Sequence, residues 1–94
     1  MDFQWDDEKN NKLKQERGVS FEDVVYAIQN KQVLDVIINP SSNFDHHQCF
    51  VLSISHYIYL VPFVKKGDAI FLKTIFLSRK HKKYYLTQKG KHEK

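Results

Sequence analysis

Three apolar runs in the second half of the chain, Cys49 to Ser55, Tyr57 to Val64 and Ala69 to Leu77, are divided by two short turn segments, Ser55-His56 and Lys65-Lys66-Gly67-Asp68. The runs are rich in β-branched and aromatic residues, so each reads as a strand. Two-residue and Gly-Asp turns are hairpin chemistry, and strands joined this tightly can only run antiparallel. This part of the chain therefore reads as a meander. Phe50, Leu52 and Ile54 alternate onto one of its faces. Pro62 lacks the N–H that a central strand needs, which predicts a bulge or an outward-facing position there.

The first half supplies a cover. Val19-Ser20-Phe21-Glu22-Asp23-Val24 carries a capping box, with Ser20 as N-cap, Asp23 three residues on and Val19 able to staple onto Val24. Phe21, Val24, Val25 and Ile28 then share one helical stripe, which predicts a helix from about Phe21 to Asn30 that packs on a sheet. Before it, Phe3 and Trp5 alternate with polar neighbours as a short strand. Asp6 caps a surface helix over about Asp7 to Glu16, with Asp7 and Glu8 in its first turn and Leu13 as its clear apolar contact. Gly18 suits the left-handed position that ends it. Val33 to Ile38 reads as the first strand of the sheet, stopped by Asn39-Pro40-Ser41-Ser42-Asn43. Ser78 is placed to cap a short basic helix, and residues 87–94 form a flexible basic tail. The expected fold is α+β, one domain over residues 1–94, with an antiparallel sheet and two amino-terminal helices on one face.

A chain of 94 residues with 41% apolar and 14% aromatic side chains can build one modest core, which argues against wholesale disorder. There is no run of about 18 apolar residues for a membrane span. The start, MDFQWDDEKN, lacks the apolar core of a signal peptide. Cys49 is the lone cysteine, which leaves no internal disulfide. A cytoplasmic location is the simplest expectation. The net charge of +4 hides an asymmetry: residues 1–48 hold nine acids and five Lys/Arg, a net of −4, whereas residues 49–94 hold two acids and ten Lys/Arg, a net of +8. A basic half of this kind suits a polyanion.

The last predicted strand, which carries Lys73, runs straight into Arg79, Lys80, His81, Lys82, Lys83, Tyr84 and Tyr85. Cations with interleaved aromatics suit RNA, since guanidinium and ammonium groups pair with phosphates and aromatic faces take bases. Cutting RNA without a metal or cofactor needs a base for the 2′-OH, charge stabilisation at phosphorus and an acid for the leaving oxygen. Arg79 is the best phosphate clamp because its planar fork matches two phosphate oxygens. Lys80 can add a charge, and His81 and Tyr84 can move protons. Lys82, Lys83, Lys73 and Tyr85 are the expected RNA-binding set. The plainer reading is that these residues hold RNA, or an acidic partner, without cutting anything.

Other polar residues carry weaker signals. His46 and His47 are adjacent and would point to opposite faces of a strand, a poor arrangement for sharing one metal ion. His56 reads as a turn residue, Cys49 as an ordinary strand residue, and Glu22 and Asp23 as helix-start acids. Arg17, at the end of the first helix, reads as a cation at the negative end of the dipole; the resemblance given next implies a second reading, as a member of the active site.

The chain resembles the BrnT family of bacterial toxins. The resemblance rests on Phe3-Gln4-Trp5-Asp6 with Lys9, then Gly18-Val19-Ser20-Phe21-Glu22-Asp23, Gly67-Asp68 and Ser78-Arg79-Lys80, in the family's order across nearly the whole chain. It implies a RelE-like α+β fold and an endoribonuclease that arrests growth. It also implies a co-encoded antitoxin with a ribbon-helix-helix DNA-binding part, which reaches operator DNA and joins the toxin in a two-to-two assembly. The chain departs from the family pattern in having Arg17 where a potential active-site His stands, and Cys49 where an Arg often opens the strand. The alternative function is a non-catalytic module that binds RNA, or holds an antitoxin as a co-repressor.

Overall fold

A computed structural model of the chain describes residues 2–38 and 48–78. The elements run β1 (Asp2–Gln4), α1 (Asp7–Arg17), α2 (Phe21–Gln29), β2 (Val33–Ile38), β3 (Gln48–Ile54), β4 (Tyr57–Lys66), β5 (Ala69–Leu72) and β6 (Phe76–Leu77). The fold is α+β: two helices and a mixed sheet in the order β1-β5-β4-β3-β2, with β6 also paired to β4. The predicted basic helix after Ser78, the tail at 87–94 and the turn at 39–43 lie outside the described residues.

Local signals account for the helices. Asp6 accepts from the N–H groups of Glu8 and Lys9 at the start of α1, and Gly18 ends it in the left-handed region at φ 68°. Both halves of the predicted capping box form at α2: Ser20 Oγ accepts from Asp23 N–H, and Asp23 accepts from Ser20 N–H. At the other end of α2, Gln32 N–H reaches Ala27 C=O and Lys31 N–H reaches Ile28 C=O. This is the paired closure that normally places glycine at the left-handed residue; here Lys31 holds it, at φ 60°.

The meander β3–β4–β5 forms in the predicted order, and Ser55-His56 makes a two-residue turn with both residues at positive φ. The sheet as a whole is not antiparallel, however. β1 lies parallel to β5, with Asp2, Phe3 and Gln4 opposite Ala69, Ile70 and Phe71. This direction lets the chain leave β1 towards the helices, so that Trp5 stacks on Phe21 with ring centroids 5.7 Å apart.

The predicted single strand from Ala69 to Leu77 is also corrected. It breaks into β5 and β6 because β5 pairs Leu72 with Phe63, whereas β6 pairs Phe76 with Leu60. Residues 73–75 thus face only Val61 and Pro62, one residue too many for an even ladder. Pro62 itself is neither bulged nor outward-facing: it is buried and pairs in register with Cys49, and the extra residue lies on the strand opposite it. Pro62 has no N–H to give, and its carbonyl accepts from Lys73 N–H at 2.9 Å.

The core joins Leu13, Val19, Phe21, Val24 and Ala27 from the helical side to Phe50, Leu52, Val61, Phe63, Ile70, Leu72 and Ile75 from the sheet. Alternation puts Cys49 and Val51 on the face opposite Phe50 and Leu52, and these are buried too, as is Ile58. Burial on both faces explains why β3 and β4 are almost uninterrupted apolar runs. Buried Asn10 ties the helices together: its Oδ1 accepts from Phe21 N–H and its Nδ2 donates to Glu22, each at 2.7 Å.

Candidate functional site

The end of α1 meets the end of the meander. Arg17, in the last turn of α1, reaches over to the bulged segment, where Nη1 donates to the Ile75 carbonyl at 2.6 Å. Its guanidinium carbon lies 6.0 Å from the centroid of the Phe76 ring. A long, exposed arginine is thereby held at two points, which removes much of the rotameric freedom such a side chain usually keeps.

Beside it opens a groove of about 460 Å³, lined among the described residues by Arg17, Tyr59, Phe76 and Leu77. Tyr59 on β4 stands opposite Leu77 on β6 in the ladder. Desolvation pushes the Tyr59 phenol above its ordinary value, with Tyr57 and Asp23 adding to the effect. At neutral pH it is therefore a neutral group that can donate a hydrogen bond. Among the described residues the lining supplies a fixed cation, one hydroxyl, and otherwise carbon.

Of the residues singled out in the sequence, Arg17 lines this groove from the last turn of α1, at the negative end of the helix. Lys73 is exposed on the bulge and is not among the groove's lining residues. Arg79, Lys80, His81, Lys82, Lys83, Tyr84 and Tyr85 lie outside the described residues, as do His46 and His47; by connectivity the basic run begins one residue after Ser78, at the end of β6. Tyr59, Phe76 and Leu77 were not singled out. Each looked like one more apolar strand position, and only the pairing of β4 with β6 brings them around Arg17.

The remaining polar residues take structural roles. His56 occupies the β3–β4 turn. Asp23 belongs to the capping box, and Glu22 accepts from Asn10 and lies 3.7 Å from Lys14. The Asn10 hydrogen bond, against a smaller opposing effect of burial, holds the Glu22 carboxyl below its ordinary value. Burial pushes the Cys49 thiol up to about 11, which keeps it a thiol at neutral pH, without the thiolate that reacts.

Comparison of the chain with protein-family models, with curated proteins and with solved structures gives no match in any of the three. Among the described residues, no helix is long and apolar enough to cross a membrane.

Proposed function

We propose that this chain is a metal-independent endoribonuclease toxin of a toxin–antitoxin module, a RelE-like version of its α+β architecture that cleaves RNA in the cytoplasm and arrests growth. The observation that carries the reading is the anchored Arg17 beside an aromatic groove, at the end of the strand that leads into Arg79-Lys80-His81-Lys82-Lys83-Tyr84-Tyr85. In this scheme Arg79 offsets charge at the scissile phosphate, Lys80 adds to it, His81 and Tyr84 handle protons, and Arg17 holds the RNA at the groove. Lys82, Lys83, Tyr85 and exposed Lys73 hold the flanking RNA. The partner is an antitoxin whose acidic or bulky segment covers this basic end and whose ribbon-helix-helix part carries the pair to operator DNA, in a two-to-two complex.

A second reading follows from the same bond. Because Arg17 is tied to Ile75 and Phe76, it also fits a module that only binds RNA, or holds an antitoxin as a co-repressor.

Induced expression of the wild type, Arg17→Ala and Arg79→Ala, with growth followed and total RNA examined for new ends, separates the two. Arrest with new RNA ends, lost in Arg79→Ala and weakened at least tenfold in Arg17→Ala, supports the toxin. Cleavage by the purified chain should persist in a chelator. A folded wild type that binds RNA but neither slows growth nor cuts it leaves the binding module in its place.

A further inference from the structure

We propose that the groove of Arg17, Tyr59, Phe76 and Leu77 is a slot for one unstacked nucleobase and that it prefers guanine and cytosine over adenine and uracil; the inference rests on the reading of the chain as RNA-binding. Its lining decides the ligand class. Phe76 and Leu77 are large apolar side chains left exposed, at 40% and 44%, and Tyr59 closes the groove from the neighbouring strand. Carbon walls serve a phosphate poorly, because a phosphate loses its water there and gains few donors in return. They serve a flat aromatic ring well, because stacking on tyrosine or phenylalanine does not depend on charge. The groove's volume, about 460 Å³, is that of a small-molecule site.

Base preference comes from how Arg17 is held. Its guanidinium carries five N–H donors, and Nη1 is bonded to Ile75. The Nε–Nη2 edge therefore keeps two parallel donors, on a group whose position the Phe76 ring and the Ile75 carbonyl fix in advance. Two unpaired bases present a pair of adjacent acceptors to such a fork: guanine through O6 and N7, and cytosine through N3 and O2. Adenine and uracil set a donor beside each acceptor.

The test is fluorescence anisotropy of the full chain with short labelled RNAs that differ only in one central base, G, A, C or U, in a uridine background. The wild type should bind the G- and C-containing RNAs about tenfold more tightly than the A-containing and all-U RNAs, the discrimination of one bidentate contact. Arg17→Lys keeps the charge but loses the fork, and should bring the four RNAs to within about twofold of one another. Tyr59→Leu keeps carbon bulk and loses the stack, and should weaken the G-containing RNA about tenfold. Trp5 fluorescence checks that both variants melt cooperatively, and the wild-type comparison depends on neither variant. Equal binding of all four RNAs by the wild type overturns the slot, as does an Arg17→Lys variant that weakens all four by one common factor. Binding that prefers G and C, without any cleavage, upholds the slot and refutes the ribonuclease. Cleavage with no base preference in binding does the reverse.

Discussion

Replacing Asn10 with alanine tests whether the helical cover is held by one buried side chain or by apolar packing alone. Asn10 sits on α1 and serves α2: Oδ1 accepts the buried Phe21 N–H, and Nδ2 donates to Glu22. Phe21 N–H belongs to the first turn of α2, where no carbonyl of the helix is available to it. Deleting Asn10 removes two hydrogen bonds, the neutral one from Phe21 worth a net of about 1 kcal/mol and one to the solvent-accessible Glu22 carboxylate, and leaves a buried donor without a partner, at about 1–3 kcal/mol. Because these overlap, the expected loss is about 2–3 kcal/mol, a fall in Tm of roughly 10–20 °C for a chain of this size. Urea unfolding followed by Trp5 fluorescence suits the measurement, because Trp5 stacks on Phe21 itself. Asn10→Asp sharpens it by keeping the acceptor for Phe21 while setting a second carboxylate against Glu22. Its deficit should shrink as pH falls through the carboxylate range and the repulsion is neutralised. An Asn10→Ala loss below about 0.5 kcal/mol would refute the reasoning, since water or a shifted helix would then be serving Phe21.

The other expectations are brief. Cys49 ionises near 9.0 when unfolded, but burial holds its proton to about 11 in the fold; stability is intact below pH 9 and falls above it, by about 2–3 kcal/mol at pH 11. Cys49→Ala should flatten that alkaline decline in denaturant titrations across pH 8–11, and an unchanged slope would contradict it. Lys31 and His56 hold left-handed backbone at φ 60° and 71° without being glycine. Lys31→Gly and His56→Gly should each stabilise the fold by about 1 kcal/mol, read as a higher urea midpoint at constant slope.

How much of this was legible in the sequence depended on whether the signal was local. The capping box at Ser20, the stop at Gly18 and the turn at Ser55-His56 are decided within a few residues, and each formed where the sequence placed it. Asn10 was not legible: a polar residue in a surface helix shows no sign of the N–H it serves eleven positions away. Nor was the direction of β1, because its partner β5 lies some sixty-seven residues further along the chain.

The groove was hidden for a different reason, which follows from Pro62. Ile70 and Leu72 point into the core, and strict alternation from them would turn residue 74 inward and residue 75 outward. The extra residue opposite Pro62 reverses that order, so Ile75 is fully buried, its carbonyl meets Arg17, and Leu77 stands opposite Tyr59. A proline in one strand thus resets which side chains the next strand presents beside α1. The sequence shows the cause at Pro62, but the effect depends on which strand takes the extra residue, and only the pairing of β4 with β5 and β6 decides that. The same slip that made the groove unreadable from alternation is what brings the fixed cation of Arg17 and the Tyr59 ring to one place.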